Sequence, residues 1–186
     1  MAKYRLKLFD DVTVLFTDFV NFTNTAERLS PQQLIEELDT CFQAFDVITT
    51  KYQVEKIKTV GDAYLAVSGL PHAHADHATE IVKAALEMRT FMLERRKKLG
   101  DLTFEVRLGI HSGKVIAGIV GMKKFAYDVW GDTVNIAARM EQSSDVGRIN
   151  ISHHTYELVK DSFPCSYRGE LDAKNKGKMK MYFVEA

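Results

Sequence analysis

The chain has 186 residues, 46% of them hydrophobic, and its 25 lysine and arginine residues balance 25 aspartate and glutamate residues. This length and composition predict one domain with a substantial core. A net charge of zero argues against nucleic acid as a partner, because a general nucleic-acid surface needs a basic excess. No apolar run approaches the ~20 residues of a membrane span, and no signal peptide is evident. We therefore expect a cytoplasmic domain, either free or as the cytosolic part of a larger, membrane-attached protein.

The first half of the chain predicts a strand, a helix, a pair of strands and a second helix. Residues 1–11 read as the end of a linker, and 12–18 (VTVLFTD) read as a buried strand. A capping box at Ser30 and Gln33, with proline between them, starts a helix that extends to about Tyr52. Further along come the strands VEKIKT and AYLAVSG around a turn at Val60-Gly61, the loop HAHADHA, and a helix from Asp76 or His77 to Gly100.

In the second half, TFEVRLGIH and KVIAGIVG predict two core strands joined as a hairpin at Ser112-Gly113. The loop KKFAYDVWG precedes a helix that Asp132 can cap. A strand at Arg148–Ser152, the helix HHTYELVK and a hairpin of SYRGELD with KMYFVEA complete the chain. The order predicts an α+β sandwich, with a ferredoxin-like βαββαβ core and additional C-terminal elements, in one domain over 12–186.

Two carboxylates stand where apolar strands run out: Asp18 in LFTDFVNFT and Asp62 in KTVGDAYLAVSGL. If the fold brings them together, they repel each other unless a cation lies nearby. A divalent cation is the simplest partner, since Mg²⁺ is usually held by one or two carboxylates plus substrate phosphates. The turn that follows Asp18, with the hydroxyl of Thr23, suits phosphate oxygens.

A second group of polar residues lies in GDTVNIAARM, where Asn135 and Arg139 are four apart and share one helix face. An amide beside a guanidinium suits an anion whose charge grows during a reaction. Taken alone, the pair is equally compatible with a polar helix surface.

Four segments carry a specific resemblance: LFTDFVNFT, TVGDAYLAVSGLP, RLGIHSGKVIAGIVG and YDVWGDTVNIAARMEQ. In this order they resemble the catalytic domain of class III nucleotidyl cyclases, the adenylyl and guanylyl cyclases, over nearly the whole chain. The resemblance implies conversion of a nucleoside triphosphate into a 3′,5′-cyclic monophosphate and pyrophosphate. It also implies two Mg²⁺ or Mn²⁺ ions at Asp18 and Asp62, with the backbone carbonyl of Phe19 as a further ligand.

The same resemblance assigns the remaining site residues. Arg139 would stabilise charge on the α-phosphate and Asn135 would orient the ribose. Asn21, Phe22, Thr23, Arg148 and Lys174 match phosphate-binding positions, although Asn175 replaces the glycine that commonly follows the lysine.

The family's active site lies at a two-fold dimer interface. One subunit supplies the aspartates and the other supplies the base pocket and the transition-state groups. This chain carries both halves, so a homodimer is the implied partner. Members of the family are often fused at the N-terminus to a sensor module.

Lys58 and Asp128 match the positions that distinguish adenine from guanine, and the backbone of Val129 lies beside them. Lysine and aspartate at these positions imply ATP, since lysine donates to adenine N1 and aspartate accepts from the N6 amino group. The nearby segments TVGDAYLAVSGLP and GDTVNIAARMEQ resemble eukaryotic guanylyl cyclases more closely, so GTP remains the alternative substrate. A catalytically silent, dimerising regulatory domain is a further alternative.

Two other features favour structural roles. Cys41 falls on the apolar side of a predicted helix, which favours a buried thiol. His72, His74 and His77 lack the spacing of a zinc site, and we expect them in a solvated loop.

Overall fold

A computed structural model of the chain describes residues 6–121, 126–173 and 177–185. These residues form a mixed sheet with helices on both faces, which confirms the predicted α+β class. The strands are β1 (Lys7–Val20), β2 (Glu55–Val60), β3 (Ala63–Ser68), β4 (Glu105–Val120), β5 (Ala126–Trp130), β6 (Ile149–Ser152), β7 (Cys165–Ala173) and β8 (Gly177–Val184). The helices are α1 (Phe22–Arg28), α2 (Pro31–Lys51), α3 (His77–Leu99), α4 (Asp132–Gln142) and α5 (His153–Val159), with a 3₁₀ turn at Gly100–Leu102.

The strand order is β2-β3-β1-β4-β6-β8-β7, and β5 pairs with the far end of β4. The β4–β6 pair is parallel, whereas β1 runs antiparallel to both β3 and β4. Strand β1 therefore lies inside the sheet, and its last three residues, Asp18 to Val20, extend past β3 while still paired with β4.

The two long helices begin and end as the sequence predicted. Ser30 Oγ accepts from the Gln33 amide and Gln33 Oε1 accepts from the Ser30 amide, which satisfies two donors at the start of α2. Gly100 follows α3 with φ 56°, a conformation that glycine adopts at little cost. On α2, Cys41 is fully buried as predicted, and both it and Cys165 are free thiols.

Separate apolar cores fill the two faces of the sheet. The larger lies under α2 and α3 and contains Phe19, Phe45 and Met88. The smaller lies on the α4 side and contains Val14 and Ala137. Because successive side chains of a strand alternate between faces, Phe19 enters the larger core and its neighbour Asp18 faces the α4 side.

The predicted hairpin at Ser112-Gly113 is wrong, because both residues lie inside the single long strand β4. Ser112 pairs with Thr13 and Gly113 pairs with Val12, and the register shift in β1 follows only beyond them, between Val12 and Phe9. Glycine serves close packing here, since a Cβ on Gly113 would lie 2.6 Å from Thr133 Oγ1 on α4. The true partner of the distal half of β4 is β5, which falls within the predicted loop KKFAYDVWG.

Three further expectations need correction. Strand β1 begins at Lys7 rather than at residue 12, and Lys7, Leu8 and Phe9 pair with β4, so this part of the expected linker belongs to the sheet. Gly131, not Asp132, is the N-cap of α4, and Asp132 is its first helical residue. His77 is the first residue of α3 and is buried, which removes it from the expected solvated loop.

In the part of the chain that the structure describes, no helix combines the length and the apolar character needed to cross a bilayer.

Candidate active site

The structure brings the Asp18 and Asp62 carboxyls together at one edge of the sheet. The β1–β3 pairing ends with Thr17 opposite Tyr64, so Asp18 directly follows it and Asp62 lies in the turn between β2 and β3. Burial raises the pKa of the Asp18 carboxyl, and the negative charge and hydrogen bond of Asp62 raise it further, against the opposing effect of Arg107. The acid pair therefore lacks full compensation for its charge.

Arg107 is the cation nearest to this pair, and sequence reasoning did not identify it. It lies opposite Asp18 in the β1–β4 register, and its Nη2 donates to Asp18 Oδ2 at 3.2 Å. Its Nε donates to Glu141 Oε1 at 2.5 Å. Burial raises the pKa of the Glu141 carboxyl even though Arg107 lowers it, and Asp18 and Asp62 add to the rise. The sequence alone shows that Arg107 lies in a predicted strand. That Arg107 lies opposite Asp18 becomes evident only from the register between β1 and β4.

The turn after β1 is anchored by aromatic side chains. Phe19 and Phe22 both stack on Phe104, with ring centroids 4.7 and 5.3 Å apart respectively. The Phe19 side chain is buried, so only its main chain is available to a ligand. Asn21 has φ 60°, a left-handed conformation that asparagine tolerates, and Thr23 is exposed in the first turn of α1. The segment is thus a fixed backbone turn next to the acid pair.

Lys58 and Asp128 meet although they are 70 residues apart in sequence. Lys58 Nζ donates to Asp128 Oδ2 at 2.6 Å across the approach of β2 to β5. The other carboxylate oxygen, Asp128 Oδ1, accepts from the Val129 amide at 2.8 Å. The lysine side chain is 45% exposed and that of the aspartate 18%, so both can be reached from solvent. A donor and an acceptor therefore lie side by side at an open surface.

Asn135 and Arg139 lie on α4, and Arg139 points away from the acid pair of its own chain. Its Nη2 donates to the Asp172 carbonyl on β7 at 2.5 Å. Positions 139 and 141 are about 200° apart around a helix, so Glu141 turns toward β1 while Arg139 turns away from it. In the sheet order β7 lies four strand spacings from β1, roughly 19 Å in a flat sheet.

Arg148 and Lys174 were the other predicted phosphate-binding residues. Arg148 Nη2 donates to Glu185 Oε1 at 2.6 Å, and its guanidinium carbon lies 4.2 Å from the Phe183 ring centroid. Arg148 directly precedes β6 and lies next to Leu108 on β4, since its carbonyl accepts from the Leu108 amide. Lys174 lies outside the described residues.

The residues at the acid pair fit a divalent cation. Among the described residues, no group of three or more histidine, cysteine, aspartate or glutamate side chains is arranged to hold a metal ion. Two carboxylates with incompletely compensated charge are nonetheless the protein ligands expected for Mg²⁺, which takes its remaining oxygens from backbone, water and phosphates.

The sequence and the fold match a known class of protein. The sequence profile described as the adenylate and guanylate cyclase catalytic domain matches residues 4–186. The chain therefore belongs to this family, and it is a nucleotide cyclase catalytic domain, a lyase by class.

Similar proteins include an adenylate cyclase of Mycobacterium tuberculosis, 39% identical over 176 residues, and guanylate cyclase 32E of Drosophila melanogaster, 41% identical over 181 residues. Each alignment covers 95% of this chain, but only 40% and 16% of the respective relatives, so the chain spans less than half of either. Among solved structures, the catalytic core of a rhodopsin-guanylyl cyclase with converted specificity, in complex with ATPαS, has a TM-score of 0.90 and 37% identity. That match covers 97% of this chain and 98% of the other. Family membership alone leaves the choice between ATP and GTP open.

Proposed function

We propose that this domain is an adenylyl cyclase that converts ATP into 3′,5′-cyclic AMP and pyrophosphate. The observation that carries the choice of ATP is the Lys58–Asp128 pair at 2.6 Å. The ammonium donates to adenine N1 and the carboxylate accepts from the N6 amino group. Guanine reverses both partners, because its N1–H faces the ammonium and its carbonyl faces the carboxylate, which sets donor against donor and acceptor against acceptor.

The bond from the Val129 amide to Asp128 Oδ1 gives the base pocket its orientation. It holds the carboxylate plane fixed while Oδ2 is exchanged between Lys58 and the adenine amino group. Lys58 and Asp128 therefore pair with each other in the nucleotide-free protein, and the same two side chains bind the adenine base when ATP enters.

The described residues divide the work of the reaction. Asp18, Asp62 and the main chain of Phe19 would hold two Mg²⁺ or Mn²⁺ ions, which would lower the pKa of the ribose 3′-OH and provide counter-charge for the triphosphate. Arg139 stabilises charge that develops on the α-phosphate as the 3′-oxygen attacks it and pyrophosphate leaves, and Asn135 orients the ribose. The phosphate-binding residues of this proposal are Asn21, Phe22, Thr23 and Arg148, together with Lys174.

A second copy of this chain is the proposed partner. Arg139 turns toward β7 and away from its own acid pair, so a pocket that joins the two needs Arg139 from another chain. Leu8, Ile116 and Trp130 form one exposed apolar row, since Leu8 pairs with Ile116 and Ile116 pairs with Trp130. Two-fold pairing covers such a row and builds two equivalent pockets.

We place the reaction in the cytoplasm, where its nucleotide is supplied. The predicted catalytic domain over 12–186 is extended to include Lys7, because β1 begins there. Because the chain spans only part of its relatives, an upstream sensor module in the full-length protein is part of this proposal.

Guanylyl cyclase is the second candidate. It is favoured by the 41% identity to the fly guanylate cyclase and by the sequence segments around Asp62 and Asn135, which resemble eukaryotic guanylyl cyclases. A catalytically silent regulatory domain is less favoured, because the chain has both the acid pair, Asp18 and Asp62, and the pair Asn135 and Arg139 on α4.

Initial rates with ATP and with GTP, measured with Mn²⁺ at equal concentrations, test the substrate. We expect ATP to be preferred, and a preference for GTP above about tenfold contradicts the adenine assignment.

Mixing Asp18→Ala chains with Arg139→Ala chains tests the shared pocket. Each variant alone should lose about 100-fold or more of its turnover. The mixture should regain about a quarter of wild-type activity, since half of the dimers are mixed and each has one intact pocket. A mixture that stays inactive while both variants fold and dimerise contradicts the two-chain site.

A further inference from the structure

Glu141 is a buried carboxylate beside the acid pair, and the proposed reaction gives it no role. It is 6% exposed near the end of α4 and accepts from Arg107 Nε at 2.5 Å. A buried charge is costly unless it is paired and hydrogen-bonded. The position of this buried carboxylate therefore points to a role in its contact with Arg107.

Arg107 divides its guanidinium between two carboxylates. The contact to Glu141 is short, whereas the contact from Nη2 to Asp18 Oδ2 is 3.2 Å. A guanidinium is a rigid planar fork, so an anchor at Nε fixes the direction of the other edge. Glu141 thus determines how closely Arg107 can approach Asp18.

The backbone of Glu141 is itself fixed on the sheet. A Cβ added to Gly109 of β4 would lie 1.9 Å from the Glu141 amide nitrogen, so helix and strand are in direct backbone contact there. The backbone of Glu141 therefore cannot move away from Arg107 unless α4 moves with it.

We propose that Glu141 is a positioning residue that holds Arg107 back from Asp18 and so keeps this carboxylate available to a divalent cation. The proposal rests on the proposed function, in which Asp18 holds the metal. Without Glu141, Arg107 can turn and pair with Asp18 in a bidentate arrangement, with two of its N–H groups donating to the two carboxylate oxygens, the strongest arrangement for these groups. That pairing neutralises the ligand and competes with the cation.

Mn²⁺ binding to the nucleotide-free protein, followed by electron paramagnetic resonance of the free ion, tests this without turnover. Glu141→Gln removes the charge, while Glu141→Asp keeps the charge and withdraws it from Arg107. Both variants should weaken Mn²⁺ binding about tenfold, the size expected for partners of metal ligands. In an Arg107→Met background Glu141→Asp should have no effect, because no guanidinium remains to compete.

Glu37→Gln is the matched control, since Glu37 is also buried and forms an ion pair of the same kind with Arg95. It should lower stability without changing the Mn²⁺ affinity. Equal effects of Glu141→Asp with and without the Arg107→Met substitution, or unchanged Mn²⁺ binding in both Glu141 variants, overturn the proposal. If Asp18→Asn binds Mn²⁺ as tightly as the wild type, the metal assignment itself fails, and the positioning role fails with it.

Discussion

In the proposed function, two single residues decide the base preference at one open surface. Lys58 and Asp128 come from strands that are far apart in sequence, and each has its charge matched by the other when no nucleotide is bound. Their energetic value to folding is small, because exposed pairs contribute little. Their value lies in presenting one donor and one acceptor at fixed positions to a purine edge.

Exchanging this pair should exchange the substrate. In Lys58→Glu combined with Asp128→Cys, the glutamate accepts from guanine N1–H and the acceptor for the N6 amino group is lost, so we expect the ratio of kcat/KM for ATP to that for GTP to fall at least about tenfold. Steady-state rates with both nucleotides measure it. Lys56→Glu is the control on the same strand, since Lys56 pairs with Asp46 instead, and it should leave the ratio unchanged. An unaltered ratio in the double variant argues against base reading at these positions.

At the scale of elements, the packing of α4 on β4 positions Glu141 beside Arg107 and directs Arg139 to the other side of α4. Two glycines allow this packing, but they differ in what a side chain would meet. At Gly109 the obstacle is the helix backbone, and at Gly113 it is the end of the Thr133 side chain, which donates to the Lys114 carbonyl.

Gly109→Ala should therefore cost more stability than Gly113→Ala. A helix backbone cannot yield locally, so we expect a loss of about 3 kcal/mol at position 109, against about 1 kcal/mol at 113, where Thr133 can rotate. Urea unfolding of both variants measures the difference. Equal losses, or a larger loss at position 113, contradict the close contact between α4 and β4.

At the scale of the whole molecule, buried polar side chains connect several elements around the middle of β1, at Thr13. His77 Nδ1 lies 2.7 Å from Thr13 Oγ1, which lies 2.8 Å from Ser112 Oγ. From Ser112 the contacts continue through Thr155 and Ser152 to His111. The chain of contacts joins α3, β1, β4, α5 and β6, so these elements share one polar interior.

This interior should make folding stability fall in mild acid. Burial, with smaller effects of His74 and His154, lowers the pKa of His77 against the opposing charge of Asp11. Between pH 7.5 and 5.5 this histidine becomes protonated in the unfolded chain, where its pKa is near the ordinary 6.5, but less so in the native state, where its pKa is lower. The free energy of unfolding therefore falls as the pH falls. His77→Gln should reduce this slope, by at most about 1.4 kcal/mol per pH unit, in urea titrations at each pH. His72→Gln, at an exposed position, should leave the slope unchanged. An unchanged slope in His77→Gln contradicts the argument.

Local signals in the sequence were sufficient where neighbours in the chain decide the structure. The capping box at Ser30 and the stop at Gly100 fixed the long helices. The hairpin prediction failed because Gly113 accommodates Thr133 of a helix 20 residues away instead of a turn. The site shows the same division. Asp18 and Asp62 were identifiable from strand ends, whereas Arg107 and Glu141 become neighbours only through strand register and helix packing.

The two native cysteines should react slowly with thiol reagents, so a cysteine introduced elsewhere can be labelled selectively. Burial raises the pKa of the Cys41 thiol to about 12, and burial also raises the pKa of Cys165, so neither is activated as a thiolate near neutral pH. A cysteine introduced at an exposed site such as Val60, close to Asp62, would react first with a maleimide spin label or dye. Distances between such labels on paired chains would then report assembly directly, with the native cysteines left in place.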